Sequence, residues 1–93
     1  EIAKALGNKK VAIMQNHGIL TTGPSVDIAL WFYMSMERCC QAQLMAEAAG
    51  KPVVISHETA IKTREFIAND IAAWASYQPA FDKIIKMQPD LLD

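Results

Sequence analysis

His17 is the residue of this chain best suited to chemistry. It lies in the tetrapeptide QNHG, residues 15–18, between the apolar runs VAIM at 11–14 and ILTT at 19–22. A neutral imidazole is a common ligand of zinc and similar ions, with bonds of about 2.0–2.1 Å. Because Gly18 has no side chain, an ion or ligand can approach the ring from that side without crowding. Two interpretations stay open at this point: a metal ligand at the tip of a turn, or a turn histidine bonded to backbone.

A single histidine cannot form a catalytic zinc site, because such sites use three protein ligands. The other histidine, His57, is at a predicted helix start, where we expect a solvent-exposed residue. The sequence contains no GxGxxG, P-loop, GxSxG or HExxH motif. We therefore expect the partners of His17 to lie upstream of Glu1, and we assign no catalytic residue within the chain.

Four further residues could take part in a site, in the segment ERCC. Glu37 and Arg38 can form buried or inter-subunit ion pairs, or they can be the solvated start of a polar helix face. Cys39 and Cys40 are neighbours that point about 100° apart on a helix, so we expect no disulfide between them. With no other cysteine and no activating partner, we expect both to be small buried apolar residues in a reducing compartment.

The composition indicates a globular segment that meets other protein. Of 93 residues, 52% are hydrophobic, and the net charge is only −1 with both signs interspersed. No basic patch points to nucleic acid, no block of like charge points to a disordered tail, and no apolar run is long enough to cross a membrane. A domain of this size has little interior, so the apolar residues predict contact with missing sequence or with other subunits. The start at Glu1, in what reads as the last turns of a helix, suggests a fragment.

The turn that carries His17 must be positioned by a hairpin and by helices. Apolar periodicity and cap residues predict helices over 2–6 and 26–49 and strands over 11–15 and 19–22. They also predict one helix that begins after Ser56 and ends at 78–79, and a further helix after Pro79. The first half of the long helix is apolar on nearly every side, which predicts burial on every side. Three aromatic residues, Trp74, Tyr77 and Phe81, either line a pocket near the C-terminus or only pack.

Three motifs taken together resemble the C-terminal part of the class II aldolase/adducin family. They are QNHGILTTG at 15–23, VDIA at 26–29 and MERCCQAQ at 36–43. The resemblance is in register from about Leu6 to Gly50 and looser beyond. It implies an α/β fold, a three-layer α/β/α sandwich around a mainly antiparallel sheet. Residues 1–93 would be the C-terminal segment of that single domain, with its N-terminal part absent.

The resemblance also implies a role for His17. This residue matches the last of three histidine ligands of a divalent metal ion, which is usually zinc, with iron or manganese as alternatives. The other two ligands come from an upstream His-x-His motif, and an acid/base glutamate lies further upstream; none of these is in this sequence. The implied activity is that of a metal-dependent lyase-type enzyme. It performs aldol cleavage or related carbonyl chemistry on a small hydroxy-carbonyl or sugar-phosphate substrate, with the metal as Lewis acid. We expect the fragment alone to be inactive.

Two other functions stay open within the same resemblance. One is an iron-dependent decarboxylase of the same fold, and the other is a non-catalytic, adducin-like scaffold that has lost its metal ligands. The presence of His17 argues against the scaffold. The resemblance further implies a homotetramer that binds a small molecule, and the cysteine content fits a cytoplasmic protein.

Overall fold

Four α-helices and one β-hairpin form the fold in the computed structural model, which describes residues 1–93. The elements are α1 (Ile2–Leu6), β1 (Val11–Met14), β2 (Gly18–Thr21), α2 (Val26–Ala49), α3 (His57–Ile67), α4 (Asp70–Met87) and a final 3₁₀ turn (Pro89–Leu92). The first helix, the hairpin and the long helix α2 are confirmed. Each strand differs from its predicted range by a residue at one or both ends.

The hairpin has a helix on each of its two faces. Because side chains alternate along a strand, Ala12 and Met14 share one face of β1, and both line a groove together with residues of α1. Val11 lies on the opposite face, packs against the buried core and pairs with Thr21 of β2. The Thr21 hydroxyl donates a hydrogen bond to the Ala29 carbonyl of α2 at 2.8 Å. The hairpin is therefore fixed between α1 and α2.

The core is small and lies between α2 and α4. Ile28 and Phe32 of α2 and Ala73 of α4 are the buried residues of the chain. Lys10 connects the hairpin to this core, because its ammonium nitrogen donates to the Ala68 carbonyl and lies 5.0 Å from the centre of the Phe32 ring. A cation over an aromatic face is attracted by the ring quadrupole. One lysine thus holds the start of β1 against α2 and against the residue that ends α3.

Much of the apolar surface of the chain is exposed. The prediction that the first half of α2 is buried on every side is wrong for these residues: Leu30 and Tyr33 are exposed, because only the Ile28–Phe32 face is covered. Val53 and Val54, in the extended segment between α2 and α3, are 95% and 89% exposed. None of the helices combines the length and the apolar character that a membrane crossing requires.

The helix predicted to run from Ser56 to residues 78–79 is instead two helices, because Asn69 caps both of them. Its side-chain oxygen accepts a hydrogen bond from the Ala72 N–H at 2.8 Å, which satisfies an otherwise unpaired donor at the start of α4. Its amide nitrogen donates to the Phe66 carbonyl at 2.9 Å, near the end of α3. The apolar stripe continues across the break, which is why periodicity alone indicated one helix.

The second correction concerns Pro79, which was predicted to break a helix and instead lies inside α4. A proline in a helix removes one backbone donor and crowds the preceding turn. Here the residue before it, Gln78, donates to the Asp27 carboxylate at 3.3 Å and so attaches α4 to the start of α2. The rings of Tyr77 and Phe81, one on each side of Pro79, also lie close to each other.

The predicted aromatic pocket exists in part. Tyr77 and Phe81 have ring centres 6.3 Å apart. They line a cleft of about 250 Å³ with Val26 and Asp27 of α2, whereas Trp74 is not part of it.

Candidate metal-binding turn

The turn between β1 and β2 has a geometry that explains the sequence Asn-His-Gly. The His17 N–H donates to the Met14 carbonyl at 3.3 Å and closes a four-residue turn. Asn16, the third residue of that turn, has φ of 60°, as a type II turn requires. Asparagine tolerates this conformation better than other residues with a side chain. Gly18 follows with φ of 124°, a region that favours glycine. The two residues that flank His17 are therefore of types that tolerate a positive φ.

The imidazole of His17 is free to bind a ligand. The residue is exposed, and its ring takes part in none of the side-chain hydrogen bonds of the chain. A Cβ atom added to Gly18 would meet nothing within 4 Å, so the space beside the ring is open. Only the backbone N–H of the residue is used by the turn.

The ring borders an open groove of about 450 Å³ between α1 and the hairpin. Its lining residues are Glu1, Ile2, Ala5, Ala12, Met14, Gln15 and His17. Four of the seven lining residues are hydrophobic, and Glu1, Gln15 and His17 supply the polar groups. Such a combination is common in small-molecule sites.

His17 can supply one ligand of a metal site, but the chain does not contain the donors for a whole site. The chain has no group of three His, Cys, Asp or Glu residues close enough to hold an ion. His57 is exposed at the first turn of α3, as predicted, and does not line the groove.

Comparison with known proteins identifies the family of the chain. Residues 1–44 match the family described as Class II Aldolase and Adducin N-terminal domain. The fold is similar to that of an L-fuculose 1-phosphate aldolase from Glaciozyma antarctica PI12, with a TM-score of 0.91 and 37% identity. That match covers 96% of this chain and 36% of the other. The chain belongs to the class II aldolase and adducin family.

Two curated relatives from bacteria align with almost the whole chain. It is 39% identical over 90 residues to Decarboxylase NovR from Streptomyces niveus, covering 97% of this chain and 33% of that protein. It is 37% identical over 90 residues to a 4-hydroxy-3-prenylphenylpyruvate oxygenase/4-hydroxy-3-prenylbenzoate synthase from Streptomyces roseochromogenus subsp. oscitans, covering 97% of this chain and 32% of that protein. The chain therefore spans about a third of the length of these relatives. Class II aldolases generally use a divalent metal ion.

The other candidate residues lie away from the His17 groove. Glu37 and Arg38 are exposed on α2. The chain has one ion pair, between Lys62 and Glu58 at 3.0 Å, so an ion pair of Glu37 or Arg38 within the chain is excluded. The two cysteines are free thiols, and Cys39 is exposed, contrary to the prediction that both are buried. Cys40 is half-buried.

Asp27 has a structural role that the sequence indicated only in part. As predicted, it lies in the first turn of α2, where the helix dipole favours a negative charge. A hydrogen bond from the Ser25 side chain is the main reason that the pKa of the Asp27 carboxyl lies below its ordinary value. Gln78 of α4 contributes in the same direction. The ionised carboxylate thus stabilises the contact between α2 and α4.

Proposed function

We propose that this chain is the C-terminal segment of a class II aldolase-like domain in a metal-dependent lyase-type enzyme. In that enzyme His17 is one of three histidine ligands of a divalent ion, and residues outside the chain supply the other two and the acid/base carboxylate. The proposal is supported by the alignment of this chain with about one third of the length of each of two longer relatives.

The observation that carries the proposal is the His17 ring, which makes no hydrogen bond and lines a groove. The tight turn fixes the backbone on both sides of the ring, which lowers the entropy lost when the imidazole binds an ion. Gly18 leaves space for the ion, and the apolar wall of the groove can exclude water from a small substrate. A bound divalent ion would polarise the substrate carbonyl as a Lewis acid. The chain's own part in the reaction is to hold that ion and shape the groove.

We propose that the complete domain is a three-layer α/β/α sandwich. The hairpin already has α1 on the Ala12–Met14 face and α2 on the Val11–Thr21 face. A two-stranded hairpin is marginally stable in water, so further strands at its edges are expected. Residues outside this chain would supply them and extend the antiparallel sheet.

Two reactions are candidates for the intact enzyme. The structural neighbour acts, by its name, on L-fuculose 1-phosphate, which favours aldol cleavage of a sugar phosphate or a small hydroxy-carbonyl compound. The names of the two bacterial relatives, a decarboxylase and an oxygenase/synthase, favour a decarboxylase of the same fold, for which the family resemblance implies iron. Zinc would serve the first reaction and iron the second, with manganese as an alternative.

We further propose a cytoplasmic homotetramer. Two free thiols fit a reducing compartment. The exposed apolar residues of α2 and α4, including Leu30 and Trp74, are the kind of surface that subunits cover. An adducin-like scaffold is the competing assignment, and the unbonded His17 ring argues against it.

Metal analysis of the intact protein tests the proposal. We expect about one divalent ion per chain, loss of that ion in His17→Ala, and no metal in the isolated 93-residue segment. His57→Ala is the matched control, because His57 is equally exposed but lies at the start of α3. If the His17→Ala protein keeps its metal and its activity, the assignment of His17 is wrong. If neither the intact protein nor the isolated segment binds metal after purification with metal present, the scaffold assignment is correct.

A further inference from the structure

A second groove, of about 460 Å³, lies between β1 and the middle of α2. Its lining residues are Ile13, Met36, Cys39, Cys40, Gln43 and Leu44, and we call it the sulfur groove. Ile13 points to the opposite side of β1 from Ala12 and Met14, which line the His17 groove. The two grooves are therefore on opposite faces of the hairpin, and they share no residue.

Three of the lining residues carry sulfur, and their spacing on α2 brings them together. Met36, Cys39 and Cys40 occupy positions i, i+3 and i+4 of the helix. Residues three and four apart are neighbours on a helix surface, with Cβ atoms about 5–6 Å from each other. All three side chains border one groove, so one thioether and two thiols line the same space.

The groove offers no other strong ligand. No carboxylate and no imidazole borders it, so hard cations find no oxygen or nitrogen charge there. Both thiols are free, and adjacent helical cysteines point too far apart to join in a disulfide. A ligand set of thiolates and a thioether is soft and is the kind that selects Cu(I).

We propose that Met36, Cys39 and Cys40 form a binding site for one Cu(I) ion. On binding, each thiol S–H bond is broken, each proton passes to solvent and each sulfur forms a Cu–S bond. The Met36 thioether adds a third bond and releases no proton. Copper enters and remains as Cu(I), so no oxidant or reductant is consumed.

The other lining residues suit this ion. The side-chain amide of Gln43, on the next turn of α2, can donate an N–H to a thiolate sulfur and so stabilise its charge. Ile13 and Leu44 add apolar side chains to the lining, and apolar surroundings favour the lower charge of Cu(I). Zinc fits less well, because structural zinc sites have four ligands drawn from Cys, His and carboxylates, and a thioether is not among them.

Titration with Cu(I) in the absence of oxygen tests the site. The reduced protein competes for Cu(I) with the coloured chelator bicinchoninate, and copper bound per chain is read from the loss of the chelate absorbance. We expect one Cu(I) per chain. Cys39→Ser and Cys40→Ser should each weaken Cu(I) binding by at least about tenfold. Mutating a residue that only supports a metal ligand already costs about that much affinity. Met36→Leu should weaken it less, because one neutral ligand is lost.

Two controls separate this site from general thiol or methionine chemistry. Met45→Leu changes an exposed methionine of the same helix that does not line the groove, and it should bind Cu(I) as the unchanged protein does. His17→Ala should also leave Cu(I) binding unchanged, so failure of this proposal and failure of the proposed enzyme function are distinguishable. Circular dichroism of each variant checks that α2 remains helical.

Three results would overturn the proposal. The first is that the protein binds no Cu(I) at chelator concentrations at which other sites with two thiolate ligands retain Cu(I). The second is equal binding by Cys39→Ser, Cys40→Ser and the unchanged protein. The third is displacement of the Cu(I) by an equimolar amount of Zn(II), which would assign the thiols to a different metal.

Discussion

Replacing Gly18 by alanine should weaken both the hairpin and metal binding at His17. Gly18 has φ of 124°, which a residue with a Cβ atom rarely adopts. The added methyl group itself would meet nothing within 4 Å, so the effect comes from the backbone alone. Such strain costs about 1–3 kcal/mol. The turn can relieve it only by a change in the backbone that also carries the imidazole.

Gly50 is the matched control for this substitution. A Cβ atom added there also meets nothing within 4 Å. Its φ of 167° is extended backbone that any residue adopts. Gly50→Ala should therefore be neutral or stabilise the fold by about 0.4–1 kcal/mol, because alanine restricts the unfolded chain.

Urea unfolding and metal titration of the intact protein measure the two effects. Gly18→Ala should lower the urea midpoint without changing the slope. It should also lower metal affinity by about 10–100-fold, the loss typical when the support of a metal ligand is disturbed. Gly50→Ala should leave the metal affinity unchanged and should keep or slightly raise the urea midpoint. Equal midpoints and equal metal affinity for Gly18→Ala and the unchanged protein would refute the explanation of the turn.

Two further predictions concern the contacts between the helices. Asn69→Ala should lower the free energy of unfolding by about 0.5–2 kcal/mol, because the cap of α4 is lost. Asn8→Ala, at an exposed residue, is the control, and equal urea midpoints for the two variants would show that the cap is unimportant. In the folded protein the pKa of the Asp27 carboxyl lies below its ordinary value of 3.8. As the pH falls, the unfolded chain therefore binds a proton at Asp27 before the folded chain does. The stability that Asp27 adds is lost as the pH falls from about 5 to about 2. Urea midpoints measured over that range should therefore fall less steeply for Asp27→Asn, and identical pH dependence would contradict the hydrogen bonds from Ser25 and Gln78.

The elements around His17 could be predicted from the sequence because local signals agree there. Apolar runs, the turn residues of Asn-His-Gly and the Ser25 and Gly50 boundaries all indicate a hairpin followed by a long helix. The break at Asn69 could not be seen, because the apolar stripe continues across it and only the side-chain geometry reveals the double cap. The helix through Pro79 depends on contacts with α2 that are distant in sequence.

The candidate sites differ in how far sequence alone could reach. His17 was identified from its neighbours and from a family resemblance, whereas its groove required the position of α1 on the hairpin. The sulfur groove was not predicted, because both cysteines were assigned to packing and Met36 was not considered together with them. Their spacing, Met-x-x-Cys-Cys on a helix, was the available signal. Burial of α2 was overestimated because only its Ile28–Phe32 face packs against α4, whereas residues such as Leu30 and Tyr33 are exposed.

The most direct test of the central claim is to locate the metal ion in crystals of the intact protein. Anomalous diffraction on both sides of the absorption edge of the bound metal identifies the ion and its position. The account predicts an anomalous peak about 2.0–2.2 Å from a ring nitrogen of His17, with two further histidines within the same distance. A metal ion bound elsewhere, or a His17 ring without metal in fully loaded crystals, would contradict it.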